Sequence, residues 1–136
     1  MEKTVLEKDI TVMYVQATSF PEGIEAAFRS LESKLPVKDG RTFFGISWPD
    51  KQGKIMYKAA AEEKTEGEAA SYDFDTFIIK KGTYMSESIK NYMQDISQVG
   101  SAFNRLLKHP ELDTSSYCLE WYKGPDVLCM VRLEPA

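Results

Sequence analysis

At 136 residues, with 43% hydrophobic and 28% charged content, the chain is one domain's worth of sequence with apolar material for a sizeable core. Its 17 basic and 21 acidic residues give a formal charge of −4 without a basic cluster, which argues against nucleic acid as a direct partner. No apolar run approaches the ~20 residues of a membrane helix, and the charged start Met1-Glu2-Lys3-Thr4 lacks the apolar centre of a secretory signal, so a cytoplasmic protein without membrane contact is expected.

Residues 10–15 form a short β-type run that Ser19-Phe20-Pro21 stops, and Pro21 with Glu22 suits a first helical turn. Ile24, Ala27, Phe28, Leu31 and Leu35 then recur on one helical face, with Pro36 as the stop and Lys38-Asp39-Gly40 as a turn. A strand is predicted over 41–48, a loop over 49–53 and a partner strand over 54–61. The acidic stretch 62–70 carries no large apolar residue and reads as an exposed connection with solvated charges. A further strand is predicted over 72–80, followed by Lys81-Gly82-Thr83-Tyr84 and a polar stretch. Met93, Ile96, Val99, Gly100, Phe103, Leu106 and Leu107 mark a second amphipathic helix, closed by His109-Pro110. Residues 117–133 form two strands about a Gly124-Pro125-Asp126 turn.

The order is strand, helix, hairpin, acidic connection, strand, helix, hairpin. Trp48 precedes Met56 in the first hairpin and Trp121 precedes Met130 in the second, at similar spacing. The expected fold is α+β: one domain, 1–136, of duplicated βαββ units (10–61 and 72–135) forming one antiparallel sheet with both helices on one face.

The last hairpin poses the functional question. With Lys123 to Asp126 as its loop, Tyr122 lies opposite Val127 and Glu120 opposite Cys129. Glu120 is then bordered by Cys118, Tyr122, Val127, Cys129 and Val131, with no Lys or Arg on its face. Such a carboxylate is paired from another element, kept neutral, or open to a cationic partner. In the first hairpin Ser47 matches Glu120 and Gly45 matches Cys118. Small residues facing an acid and an aromatic leave room either for a flat, partly cationic organic molecule or for a packed neighbour.

Among the other aromatics, Trp121 lies on the face opposite Glu120, whereas Trp48, before Pro49 at a strand end, is the better ligand contact. Tyr57, Tyr72, Tyr92 and Tyr117 are not ranked by the pattern. His109, the sole histidine, suits a helix end, where it meets the helix dipole. One His with Cys118 and Cys129 makes neither a zinc set nor a triad, and no metal or cofactor is expected.

The apolar strand, Lys81-Gly82-Thr83-Tyr84, the long helix, Leu119-Glu120-Trp121-Tyr122 and the closing Val131-Arg132-Leu133-Glu134-Pro135 together resemble the GyrI-like domain. This is the small-molecule-binding module also used as the effector-binding domain of AraC-type and MerR-type regulators. The resemblance spans about residues 10–135. It implies a multidrug-type pocket between the repeats for cationic aromatic compounds, with Glu120 as its acid, Tyr122 beside it and Tyr84 as a wall. It also implies an alternative, since some members are hydrolases that open the cyclopropane of DNA-alkylating compounds with the same acid. Without a helix-turn-helix before or after it, the expected protein is stand-alone, and the family name adds an inhibited protein partner as a third possibility. The loop after Tyr122 is shorter than is usual in that family, and residues 85–91 depart from its usual passage into the helix.

Overall fold

The computed structural model describes residues 1–35 and 40–135, so the stop assigned to Pro36 and most of the Lys38-Asp39-Gly40 turn lie outside the described residues. The described residues form eight strands: β1 (Glu2–Leu6), β2 (Ile10–Gln16), β3 (Phe43–Pro49), β4 (Ile55–Glu62), β5 (Asp75–Ile79), β6 (Gly82–Ile89), β7 (Cys118–Lys123) and β8 (Asp126–Arg132). The helices are α1 (Ile24–Lys34), the four-residue α2 (Glu68–Ser71) and α3 (Ser97–Leu106), with a 3-10 turn at Tyr92–Gln94 before α3.

All strands join one antiparallel sheet in the order β1-β6-β8-β7-β3-β4-β2-β5. Exchanging β1–β4 with β5–β8 turns this order into its own reverse. Strong curling follows from the connections. β5 and β6 stand six strand positions apart, ~29 Å if the sheet were flat, yet only Lys80 and Lys81 link them, a reach of ~11 Å. The link from β1 to β2 crosses the same gap, and Lys81 N–H donates to its Asp9 Oδ1 at 2.8 Å.

Inside the curl, Val12, Phe44, Ile46, Ile79, Tyr84 and Leu119 form a core from five different strands. On the other face, Ala27 and Leu31 of α1 lie over Tyr57, Ala59, Ala61 and Met13. Ala102 and Leu106 of α3 lie over Met85, Val127, Cys129 and Val131. The α+β class, the single antiparallel sheet and the two helices on one face are thus present. Strand alternation explains the division, because each face takes every second residue of the apolar runs.

Several local expectations are corrected. Glu2–Leu6 is an edge strand, and the run from Gly82 to Ile89, read as largely polar, is a strand second from that edge. Ser86 there bonds Thr4 Oγ1 and the Glu2 carbonyl, so its polarity is satisfied by pairing with β1. Pro21 precedes α1, which starts at Ile24 after Gly23. The acidic connection is not wholly solvated: Glu68 pairs with Arg41 through two hydrogen bonds of 2.8 Å, the side chains only 12% and 5% exposed. That guanidinium holds Glu68 down at about 2. Met93, Ile96 and Leu107, assigned to a buried helical face, are exposed. His109 follows α3, and its Nδ1 accepts the Glu111 N–H at 3.0 Å.

Candidate functional site

Glu120 is placed by the register the hairpin pattern predicts. Gly124, at φ +63°, makes the turn that pairs Lys123 with Asp126, Tyr122 with Val127 and Glu120 with Cys129. On its other side β7 pairs with β3, which sets Gly45 directly opposite Glu120 and Ser47 opposite Cys118. β4 adds Tyr57 across from Ser47. Glu120, Tyr122, Gly45, Ser47 and Tyr57 therefore share the helix-bearing face.

Tyr57 Oη donates to Glu120 Oε1 at 2.7 Å, and Tyr122 Oη donates to the same oxygen at 2.5 Å. Both phenolic protons are thus committed to one carboxylate oxygen, although the two hydroxyls are 3.2 Å apart. Oε2 has no hydrogen-bond partner, and Glu120 no ion pair, among the described residues. Burial pushes the Glu120 carboxyl above its ordinary range, and the two phenol hydrogen bonds only partly offset this. Burial and the nearby Glu120 raise Tyr57 and Tyr122, so both stay protonated donors. The same two causes raise Cys118 to about 11 and Cys129 to about 12, which leaves both thiols protonated and unreactive.

Gly45 serves this arrangement by close approach. A Cβ there would overlap Tyr57 Oη and Glu120 Oε1, so the space above it is filled by the phenol–carboxylate pair itself. Above the carboxylate a cleft of about 740 Å³ opens between α1 and the 3-10 turn leading to α3. Phe28 of α1 meets Tyr122 edge-on at 5.7 Å and Tyr57 at 6.3 Å, while Tyr92 lies 5.5 Å from Tyr122. Phe43, Val99 and Val127 complete the apolar wall, and the exposed Met93 and Ile96 stand at the mouth. Among the described residues the lining includes Glu22, Glu25, Glu32 and Glu120 but no lysine or arginine. Glu25 is paired with Arg29, whereas Glu120 at the base has no ion pair among the described residues; shape, apolar walls and that buried acid suit an amphiphilic cation.

Of the six residues singled out in the sequence, this cleft takes Glu120 and Tyr122. Gly45 and Ser47 lie on the same face but do not line it. Tyr84 and Trp48 are carried by alternation to the opposite face. Tyr84 is fully buried there, and Trp48 borders a different depression with Phe77 and Tyr117. Tyr57 and Tyr92 are site residues that the pattern left unranked. Tyr57 was findable from the first hairpin: pairing 49 with 55 puts it opposite Ser47, on the face of Gly45. Tyr92 reaches the cleft from a turn outside the repeating pattern, and no sequence signal marks it.

No protein-family model and no curated protein sequence matches the chain. Solved structures do. An integron cassette protein from the mobile metagenome of Vibrio cholerae superposes with a TM-score of 0.70 at 13% identity, covering 98% of this chain and 95% of its own. SAV2435, solved bound to tetraphenylphosphonium, gives 0.61 at 13% identity, covering 98% and 93%. A hydrolase from Listeria innocua gives 0.54 at 10% identity, covering 97% and 89%. At these identities the likeness is one of fold, and one protein of this fold was captured with a lipophilic aromatic cation.

Proposed function

We propose that the chain is a GyrI-like small-molecule-binding protein that captures amphiphilic, cationic aromatic compounds in the cleft over Glu120. One observation carries the reading: a carboxylate at the floor of an aromatic-lined cleft, bonded by two phenols through Oε1 and, among the described residues, by no cation. A bound cation supplies the missing countercharge at Oε2 while its aromatic parts cover Phe28, Tyr92 and Ile96. The tetraphenylphosphonium held by SAV2435 belongs to the same chemical class, which supports the assignment. Titration with a cationic rhodamine tests it. Glu120→Gln keeps the shape and removes the charge, and weakens binding by about tenfold or more, equivalent to at least ~1.4 kcal/mol. Equal affinity in wild type and variant removes the acid from the reading.

A second reading is a hydrolase of cyclopropane-bearing alkylators, with Glu120 delivering a proton to the opening ring. The raised carboxyl pKa favours it, because a protonated acid near neutral pH is what such a step needs. Ring opening no faster than in buffer excludes it and leaves the binding reading untouched.

A further inference from the structure

The depression bordered by Trp48 lies on the sheet face opposite Glu120, at the seam where β5 meets the link to β6. Its volume is about 520 Å³. Its floor is aromatic: Trp48 and Phe77 lie nearly parallel, 10° apart with ring centroids at 6.4 Å, and Phe77 meets Tyr117 edge-on at 5.3 Å. Three strand steps separate β3 from β5, so only the curl of the sheet brings Trp48 and Phe77 together. The charge at its edge has the opposite sign to the Glu120 cleft. Lys80 and Arg132 line it against one carboxylate, Asp113. Asp113 is already engaged by Arg132 Nη1 at 3.2 Å and by Ser115 through its N–H and its hydroxyl. Lys80 has no ion pair among the described residues.

The wall carrying Lys80 is built rather than incidental. Tyr84 Oη donates to the Lys80 carbonyl at 2.6 Å, which commits its only proton. The 2.7 Å contact between Tyr84 and Tyr117 therefore has Tyr117 as donor, and the Lys80 N–H donates to Tyr117 Oη at 2.8 Å. The three bonds close a ring through two phenols and one peptide backbone. Burial and the Tyr117 contact raise Tyr84, so its hydroxyl stays a protonated donor to the Lys80 carbonyl. It holds Tyr117 against Phe77 and fixes the backbone from which the Lys80 side chain projects.

We infer that this depression is a second binding site, for a planar aromatic anion such as an aryl carboxylate or sulfonate. The ring system lies on Trp48, Phe77 and Tyr117, the anionic group meets Lys80, and the Ser115 and Ser116 edge supplies further polar contacts. The site is independent of the reading given to Glu120 and faces away from it.

Titration of the full chain with 2-naphthalenesulfonate, followed by Trp fluorescence and by calorimetry, tests the inference. One saturable site is expected, and Lys80→Gln, a change of one exposed side chain, weakens it about tenfold. Uncharged 2-methylnaphthalene binds wild type at least tenfold more weakly than the sulfonate. Saturating rhodamine leaves the sulfonate affinity unchanged. Absence of saturable binding overturns the site, as does equal affinity in Lys80→Gln, equal affinity for the uncharged ring, or displacement of the sulfonate by rhodamine. The titration is read in the same way whether or not the rhodamine itself binds, so the two assignments fail separately.

Discussion

Each face of this sheet holds a charge among aromatic rings, and the two are treated differently. On one face Lys58, 8% exposed, has its Nζ 3.8 Å from the Tyr14 ring centroid, 4.8 Å from that of Trp48 and 2.9 Å from Gln16 Oε1. Burial lowers its pKa and the Asp75 charge works against that, but the cation is surrounded by the negative faces of rings and an amide oxygen. On the other face Glu120 has both its donors on one oxygen and, among the described residues, no ion pair; the groups bonded to it are phenols. Lys58 is a charge balanced within the fold. Glu120 is left unbalanced, and it is the one that lies beneath an open cleft.

That contrast can be broken. The largest effect is expected at Gly45. Gly45→Ala pushes a methyl into the Tyr57–Glu120 pair, and because Tyr57 is fully buried the ring cannot swing clear. A loss of about 2–3 kcal/mol in urea unfolding is expected, together with loss of rhodamine binding. A variant as stable as wild type means that the pair is looser than its geometry.

Tyr57→Phe comes next. It removes one donor from a buried carboxylate and is expected to cost about 2 kcal/mol at neutral pH, less in acid where the carboxyl is protonated. Chemical denaturation at two pH values checks this; a cost independent of pH assigns Tyr57 to packing alone.

Glu120 itself sets a pH dependence. Its folded pKa lies above the ordinary 4.5, so folding favours the protonated form. The stability it contributes is fully present below that ordinary value and is lost as the pH rises through the folded one. Glu120→Gln does not titrate and therefore gains on wild type over that rise, by an amount of the order of 1 kcal/mol. Rhodamine affinity of the wild type moves the opposite way and strengthens with pH, because the cation binds the ionised form. Parallel stability profiles for variant and wild type contradict the raised pKa.

The smallest effect is expected at Lys58. Lys58→Met keeps the stem packed between the rings and removes a charge that needs nothing from outside, so stability changes by less than about 1 kcal/mol. A loss larger than that of Tyr57→Phe reverses the comparison.

Much of the local structure was legible in the residues. The apolar spacing from Ile24 to Leu31 wrote a helix, and alternation with a Gly124 turn wrote the last hairpin down to the pairing of Glu120 with Cys129. These are properties of neighbours in sequence, set by backbone periodicity and turn sterics. The same alternation exposes Glu120 on a face without lysine or arginine.

What surrounds that face depended on partners far along the chain. Tyr57 reaches Glu120 across 63 residues, Arg41 reaches Glu68 across 27, and Ser86 reaches Glu2 across 84. Tyr84 and Trp48 look like companions of Glu120 by spacing alone, but parity along each strand sends them through the sheet to its other side. Only the curl, imposed by two short links across the sheet edges, brings Trp48 to Phe77 and locks Tyr84, Tyr117 and Lys80 into one ring. The sequence alone therefore determined which residue carries the unbalanced charge, because charge and strand parity are local. The tertiary structure decided which residues stand around it, because strand order and curvature are set by the chain as a whole.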